Sequence, residues 1–436
     1  MTTQIPQSSG PSRRTVLIAS GLTVAASWSL AACGDDEAGE GEETQVKVFS
    51  WWTGGGEAAG LKAMVADFEK RNPDISFKNE AVAGGAGTAA KPQLEANLKA
   101  GNPPDSFQGH AGAELLDYVK AGYIEDLTSL YDQQGWTKVF PATLLPLITQ
   151  GGKIYSVPVN IHRANMLWSS PALLSEAGIT SAPRTWDEFL GFLDKVKSKG
   201  KIPLSLGEQW TAKHLLETVL LGELGRDGYE ALWKSGGDWG GAKVTGALTA
   251  FGEVLAYTNS DAPSLTWQDA SKLVVDGKAA YNIMGDWAEG YYHTDPPDGL
   301  AKKPKTDYDW AAAPGTDGLY QFLSDSFTLC KGAPHRDAAI AWLKECGSKA
   351  GQDAFNPKKG SIPARSDADA SLYGTYLQWA LGEWKKDQIV GSLTHGVVAS
   401  NAWNTAIDST LGVYLKDKKA ARFQDALGEA AGKYAA

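Results

Sequence analysis

The fold is decided by one stretch near the N-terminus, Gln45–Val82, which reads QVKVFSWWTGGGEAAGLKAMVADFEKRNPDISFKNEAV. It begins with an apolar, strand-like segment, QVKVFSW, and it ends with a second one, ISFKNEAV. Between them lies a helix-like segment that begins after the glycines and ends at Asn72-Pro73. A strand, a helix and a second strand in this order predict a βαβ unit, and therefore a parallel sheet in an α/β protein.

Two adjacent tryptophans, Trp51 and Trp52, stand where the first predicted strand gives way to glycines. Side chains alternate between the two faces of a strand, so neighbouring residues point in opposite directions. We therefore expect one ring in the core and the other above the end of the strand. In α/β proteins ligands bind at this end of the sheet, so the pair predicts a binding cleft with an aromatic wall.

Helix-like and strand-like segments continue to alternate along the rest of the chain. The clearest helix start is Thr185, an N-cap whose capping box is completed by Glu188, and the helix is predicted to end near Gly200. The chain from Ser371 onward is predicted to be mostly helical. Several predicted strands end in polar and aromatic clusters, namely SWWTGG, SFQGHAG, MGDWAEG and LSDSF. Such clusters predict a ligand crevice along the strand ends.

The first 45 residues carry the signs of export and anchoring. Residues 1–32 are interpreted as an export signal, in which Arg13 and Arg14 precede an apolar stretch as in twin-arginine signals. A transmembrane helix is the alternative, but a glycine and several serines interrupt the apolar stretch. The apolar run ends in LAAC, which resembles a lipobox with Cys33 as the lipidated residue. The acidic segment up to residue 45 is predicted to be a disordered tether.

Composition argues against several classes of function. The chain has 41 basic and 51 acidic residues, and its net charge of −10 disfavours nucleic acid as a partner. No cysteine and histidine spacing predicts a metal site, and no phosphate loop is predicted because GGAG lacks the required lysine. Cys330 and Cys346 could form a disulfide or remain free thiols. Sixteen tryptophans exceed ordinary usage and favour a ligand that stacks on flat apolar rings.

The motifs together resemble a known family. In order, the lipobox, AGYIEDLT, GKIYSVPV, PRTWDEF, DGKAAYNIMGDW and KGSIPAR are similar to those of extracellular solute-binding proteins (family 1) of bacterial ABC sugar importers. A narrower resemblance is to glucose/galactose-binding members, through FSWW, GGAG, PPD-x-F-Q-x-HAG, VPVNIHR, NIMGDW, LSDSF, FNP-x-KGS and GSL-x-HG. These motifs cover nearly all of the chain after the tether.

The resemblance implies an α/β, two-lobed fold of the periplasmic-binding-protein type (type II). Each lobe would be a sheet flanked by helices, and a hinge would join the lobes. The N-lobe would comprise residues 44–158 plus 326–362. The C-lobe would comprise residues 159–325 plus 363–436. A sugar would bind in the cleft between the lobes.

The resemblance also implies which residues contact the sugar. Aromatic rings would stack on its apolar faces, and polar side chains would bind its hydroxyl groups. For each tryptophan taken singly, the alternative is packing in the core. For Asp325 the alternative is a turn, and for His395 it is a structural role. His162 and Arg163 could serve either the hinge or the ligand. The predicted ligand-binding residues are Trp51, Trp52, Glu57, Gln108, His110, Trp267, Trp287, Asp325, Lys359 and His395.

The function implied is capture of a monosaccharide of the glucose/galactose type by a lipoprotein on the outer face of the cell membrane. The protein would be a monomer that works with separate permease and ATPase subunits, and it would need no cofactor or metal. We expect no catalytic residues. The alternatives are a disaccharide or an amino sugar as ligand, a secreted glycoside hydrolase, which needs a pair of carboxyl groups, or a surface adhesin.

Overall fold

The computed structural model describes residues 44–435. The predicted export signal, the lipidation site at Cys33 and nearly all of the tether lie outside the described residues. Within residues 44–435, no helix is both long and apolar enough to span a bilayer.

The described chain alternates between helices and short strands. The strands are β1 (Thr44–Ser50), β2 (Ile75–Ala81), β3 (Ser106–His110), β4 (Thr149–Gln150), β5 (Lys153–Ile154), β6 (Val157–Pro158), β7 (Asn160–Arg163), β8 (Met166–Ser169), β9 (Ile202–Ser205), β10 (Ala279–Ile283), β11 (Asp309–Ala312), β12 (Leu319–Leu323), β13 (Asp325–Phe327), β14 (Ile362–Pro363) and β15 (Gln388–Gly391). The helices are α1 (Gly55–Arg71), α2 (Ala90–Lys99), α3 (Ala113–Lys120), α4 (Thr128–Gln134), α5 (Pro171–Glu176), α6 (Trp186–Ser198), α7 (Gln209–Leu232), α8 (Ala242–Leu255), α9 (Trp267–Val275), α10 (Trp287–His293), α11 (Arg336–Gly347), α12 (Lys349–Lys359), α13 (Thr375–Lys386), α14 (Asn401–Asp417) and α15 (Ala420–Tyr434).

The first sheet has the strand order β2-β1-β3-β13-β6. β1 pairs in parallel with β2 and with β3, which confirms the predicted βαβ opening. β13 runs antiparallel to β3 and pairs Asp325 with His110. The carboxyl ends of β1 and β3 and the start of β13 therefore meet at one edge of this sheet.

Two further sheets have the orders β11-β8-β10-β9 and β14-β7-β12-β15. The chain passes between the first sheet and the last of these within one residue at two places. Pro158 ends β6 and Asn160 begins β7, while Leu323 ends β12 and Asp325 begins β13. Both passages lie beside the edge at which β1, β3 and β13 meet.

Two hydrophobic cores account for most of the tryptophans. In the core beneath the first sheet, Trp342 is fully buried and contacts Phe68, Phe77 and Phe327 at ring-centroid distances of 5.6, 4.7 and 5.3 Å. The second core contains Trp186, Trp233, Trp239 and Trp403. Most of the excess of aromatic residues is therefore structural.

The start of α6 agrees with the sequence-based prediction, whereas one later segment differs from it. The Thr185 hydroxyl accepts a hydrogen bond from the Glu188 N–H at 3.1 Å, as predicted, but the Glu188 carboxylate accepts from the Arg184 N–H instead of completing the box. The prediction of a mostly helical region after Ser371 missed β15. This strand forms because QIVG pairs in parallel with β12, a contact between distant parts of the chain.

The two cysteines of the described chain are both free thiols. Cys330 and Cys346 form no disulfide, which decides between the two alternatives left open by the sequence, and both are fully buried. Burial raises the pKa of both thiols, so they remain protonated and unreactive at neutral pH.

A buried carboxyl group in α11 gives the fold a pH-dependent stability. Burial, with help from the neighbouring Asp67 and against the pull of Arg71, raises the pKa of Glu345 to about 7. The folded state therefore holds this proton more tightly than the unfolded state does. The stabilisation of the fold by the protonated Glu345 is fully present below the unfolded pKa, near 4.5, and is lost as the pH rises to about 7.

We expect Glu345→Gln to raise the free energy of unfolding at pH 8, where wild type must bury a charge and the variant need not. The gain should be about 2 kcal/mol and should vanish at pH 4. Urea denaturation at both pH values measures it. A gain of equal size at both pH values would contradict the assigned ionisation.

Candidate functional site

A small cavity lies at the edge where β1, β3 and β13 meet. Its volume is about 20 Å3, which is room for about one water molecule. All the predicted ligand-binding residues except Trp52 and Gln108 line it. The lining residues are Trp51, Glu57, Ala86, His110, His162, Trp210, Trp267, Trp287, Leu323, Asp325, Lys359 and His395.

The adjacent tryptophans divide between cavity and core. Trp51 lines the cavity and its ring lies 5.1 Å from that of His110. Trp52 lies outside the cavity and packs in the core against Phe327 and Phe355, at 5.6 and 4.9 Å. The alternation of side chains along β1, continued past its last residue, explains this division.

Asp325 is a buried carboxylate held by two amides. Its Oδ1 accepts a hydrogen bond from Gln108 Nε2 and its Oδ2 accepts one from Asn160 Nδ2, both at 2.8 Å. The Asn160 side-chain oxygen in turn accepts from the backbone N–H of Asp325 at 2.8 Å. Gln108 is therefore placed behind Asp325, where it orients the carboxylate without lining the cavity. The remaining lone pairs of Asp325 are free to accept further hydrogen bonds.

A buried ion pair closes another side of the cavity. Lys359 Nζ donates to Glu57 Oε1 at 3.2 Å, and the Lys359 side chain is only 2% exposed. Burial raises the pKa of Glu57, while the charge of Lys359 opposes the rise. Lys359 is the last residue of α12, which Gly360 ends in the left-handed conformation at φ 80°, a region that favours glycine.

Trp287, the first residue of α10, packs against rings from several elements. Its centroid lies 5.0 Å from that of His395, 5.4 Å from that of His162 and 6.3 Å from that of Trp210. Trp267 begins α9 and contacts Tyr291 at 5.9 Å. Aromatic faces thus surround a few fixed polar groups, which is the composition of small-ligand sites.

Comparison with known proteins shows the family to which the chain belongs. A family described as bacterial extracellular solute-binding protein matches residues 53–353. The chain belongs to this family. Its members are solute-binding proteins and not enzymes, which confirms the prediction that this protein has no catalytic activity.

Two relatives and one solved structure show how far the similarity extends. An uncharacterized ABC transporter extracellular-binding protein from Pyrococcus horikoshii is 33% identical over 82% of this chain and 81% of its own. A probable sugar-binding periplasmic protein from Rhizobium meliloti is 36% identical over 83% and 87%. The structure of the bacterial solute receptor AcbH, which prefers β-D-galactopyranose, covers 90% of this chain and 98% of its own, with 17% identity and a TM-score of 0.77. This likeness confirms the predicted two-lobed α/β fold.

In this solute-binding protein, four of the six histidines are buried around the cavity. His110 ends β3, His162 lies in β7, His214 in α7, and His395 in the loop before α14. The ring of His395 lies 5.4 Å from that of His110 and 5.9 Å from that of His214. Burial, reinforced by neighbouring cationic groups, lowers the pKa of His162 and of His395 well below the ordinary value, so both rings are neutral.

His162, Trp210 and His214 were not among the predicted ligand-binding residues. His162 carried a signal, because it lies in the motif VPVNIHR, but sequence left open whether it served the hinge or the ligand. In the structure it lines the cavity and its Nδ1 contacts the carboxyl group of Asp286. Trp210 and His214 lie in an apolar stretch of α7 that is buried on all sides, so nothing in the sequence separated them from core residues.

One group of residues in the described chain has the composition of a metal site. His214, Glu217 and His395 bring three ligand atoms within 4.8 Å of one another. Glu217, however, already accepts hydrogen bonds from the Ser392 hydroxyl and from the backbone N–H groups of Leu393 and Thr394. These protein hydrogen bonds give the group a structural explanation, and we assign no metal to it.

Proposed function

We propose that this protein captures a monosaccharide of the glucose/galactose type and delivers it to the permease of an ABC importer. The observation that carries the proposal is the cavity at Asp325, where a carboxylate fixed by two amides lies among four tryptophan rings. Sugar rings present apolar C–H faces and polar hydroxyl groups. A site with aromatic walls and fixed acceptors matches both.

The names of the relatives support a sugar as the solute. The Rhizobium meliloti relative is a probable sugar-binding protein, and the structurally similar AcbH prefers a galactopyranose. Relatives named as ABC transporter components support separate permease and ATPase subunits as partners. Their extracellular or periplasmic names support a location outside the cytoplasm.

The walls of the cavity support a single sugar ring as the ligand in preference to a longer one. The Glu57–Lys359 ion pair closes one side of the cavity, and the His110 and His395 rings lie against each other at 5.4 Å in its wall. An oligosaccharide would need one of these walls to be absent. A disaccharide or an amino sugar remains the alternative ligand, and the titration below distinguishes them.

Capture requires the cavity to open. A volume of about 20 Å3 cannot hold a hexose, so the lining elements must separate and close again around the ligand. We propose that they separate as two lobes, residues 44–158 plus 326–362 and residues 159–325 plus 363–436. The passages between β6 and β7 and between β12 and β13 would be the hinge. A sugar that contacts both lobes shifts the population toward the closed form.

The anchoring is a further part of the proposal. A lipidated Cys33 would hold the protein as a monomer on the outer face of the membrane, and the acidic tether would leave both lobes free to reach the permease. Separation of membranes from cells expressing the full chain tests this part. Release of the protein into the medium by Cys33→Ser is the expected result.

The experiment that tests the ligand is a titration of intrinsic tryptophan fluorescence with glucose, galactose, mannose, glucosamine, maltose and cellobiose. Trp51, Trp210, Trp267 and Trp287 line the cavity, so a bound sugar should change the emission saturably. We expect a response to a neutral hexose, at micromolar or lower concentration, and recovery of the sugar unchanged. A response to disaccharides alone would replace the monosaccharide assignment, and silence to all sugars by calorimetry as well would refute the proposal.

A further inference from the structure

Two buried glutamates, Glu114 and Glu217, lie directly behind two of the cavity histidines. Glu114 is 1% exposed and Glu217 is fully buried. Neither lines the cavity, and neither belongs to the set of residues predicted from the sequence. They come from different elements, α3 and α7.

Glu114 orients His110. Its Oε2 lies 2.9 Å from His110 Nδ1 and 2.7 Å from Lys91 Nζ, while its Oε1 accepts the backbone N–H of His110 at 3.2 Å. Burial pushes the pKa of Glu114 upward, but the nearby Lys91 and His110 outweigh it and lower the pKa to about 2. The carboxyl group is therefore ionised and can only accept, so His110 Nδ1 carries the hydrogen.

Glu217 orients His395 through a hydroxyl group. Its two oxygens lie 3.1 and 3.0 Å from Ser392 Oγ, and Oε2 also accepts the backbone N–H groups of Leu393 and Thr394 at 2.6 and 3.1 Å. Ser392 Oγ lies 2.9 Å from His395 Nδ1. Because the hydroxyl hydrogen is donated to the carboxylate, the oxygen accepts from the histidine, and His395 Nδ1 carries the hydrogen.

Both chains of hydrogen bonds place a hydrogen on Nδ1 of the histidine that they hold. His395 is neutral, and in a neutral imidazole only one nitrogen carries hydrogen, so its Nδ1–H leaves a lone pair on Nε2. His110 Nε2 lies 3.6 Å from Asp325 Oδ1, which is too far for a hydrogen bond between them. Nε2 of His110 therefore makes no hydrogen bond to Asp325 and is available to a ligand.

We propose that Glu114 and Glu217 are positioning residues that hold His110 and His395 through Nδ1–H, so that His395 Nε2 accepts a hydrogen bond from a sugar hydroxyl group and His110 Nε2 is presented to the same ligand. The inference rests on the proposed function, and it narrows the class of sugars that the site binds. The site selects a sugar with a free hydroxyl group at the position that faces the His395 ring. Deoxy and O-methyl analogues at this position lack the donor and bind less tightly.

The test measures both the tautomers of the two histidines and the affinity for the sugar. Long-range 1H–15N spectra of the 15N-histidine-labelled protein report which ring nitrogen carries hydrogen, and variants His110→Gln and His395→Gln assign the signals. In Glu217→Gln the new amide nitrogen donates to Ser392, whose hydroxyl then turns to His395. We expect His395 to change to the Nε2–H tautomer, His110 to stay unchanged, and the sugar Kd to rise about tenfold, as for one lost buried hydrogen bond. Glu114→Gln should raise the Kd similarly and change His110 alone.

Controls separate positioning from general loss of structure. Glu345→Gln also replaces a buried carboxyl group, away from the cavity, and should leave Kd and both tautomers unchanged. If Glu217→Gln does not fold, Ser392→Ala breaks the same chain while Glu217 keeps its backbone partners. Unchanged tautomer and Kd in these variants, or Nε2–H tautomers in wild type, would overturn the inference while sugar binding stands. Nδ1–H tautomers in a protein that binds no sugar would overturn the proposed function itself.

Discussion

Replacement of Asp325 by asparagine should raise the Kd for the preferred hexose at least about 100-fold. The carboxylate accepts from Gln108 and Asn160 and keeps lone pairs for the ligand. An amide of the same shape must turn its NH2 group toward one of these donors and offers no charge to the sugar. The loss of two charge-assisted hydrogen bonds, each about 1.5–3 kcal/mol, gives the expected factor.

Calorimetric titration of Asp325→Asn measures the effect, with Asp105→Asn as its matched control. Asp105 is equally buried and accepts backbone N–H groups from Lys47 and His335 at 2.8 and 2.6 Å, but it does not line the cavity. The control should lose stability and keep its affinity. If Asp325→Asn binds as wild type does and is folded, the carboxylate does not contact the ligand, and the site must be reassigned.

The largest effect on stability is expected from Trp342→Ala, which removes the ring at the centre of the first core. Trp342 is fully buried and contacts Phe68, Phe77 and Phe327. Deletion of such a ring leaves a cavity that the surrounding strands and helices cannot fill, and it should cost about 3–5 kcal/mol of unfolding free energy.

Urea denaturation monitored by circular dichroism measures the loss in Trp342→Ala, and Trp287→Ala serves as its counterpart. Trp287 lines the cavity, so its removal should weaken sugar binding more than it weakens the fold. The reverse ranking of these two variants would show that the division of tryptophans between core and cavity is wrong.

Local patterns in the sequence and the family resemblance were together sufficient to predict many of the helices and strands and much of the cavity wall. The βαβ opening followed from alternation and from the Asn72-Pro73 stop, and the division of Trp51 from Trp52 followed from the two-residue period of an extended chain. The resemblance to sugar-binding proteins then supplied residues from distant segments. Most of these, among them Glu57, Asp325 and His395, line one cavity.

Interactions between distant segments account for what the sequence could not show. β15 exists because it pairs with β12, and its four residues carry no strong strand pattern of their own. Glu217 lies in the part of α7, residues 210–221, that is buried on every face, so its role depends on the loop at Ser392–Thr394, about 175 residues away along the chain. The volume of the cavity likewise depends on how closely separate elements approach.

The single residue between β12 and β13 has a consequence for evolution as well as for binding. Ser324 separates a strand of one sheet from Asp325 in another, and its hydroxyl donates to the Asn160 carbonyl at the neighbouring passage. The carboxyl group that we propose recognises the ligand is thus adjacent to the segment that would bend. Selectivity and the ease of closure cannot be adjusted separately at this position. We therefore expect descendants that acquire a new ligand to change residues on α9, α10 and the His395 loop, and to leave these two passages as they are.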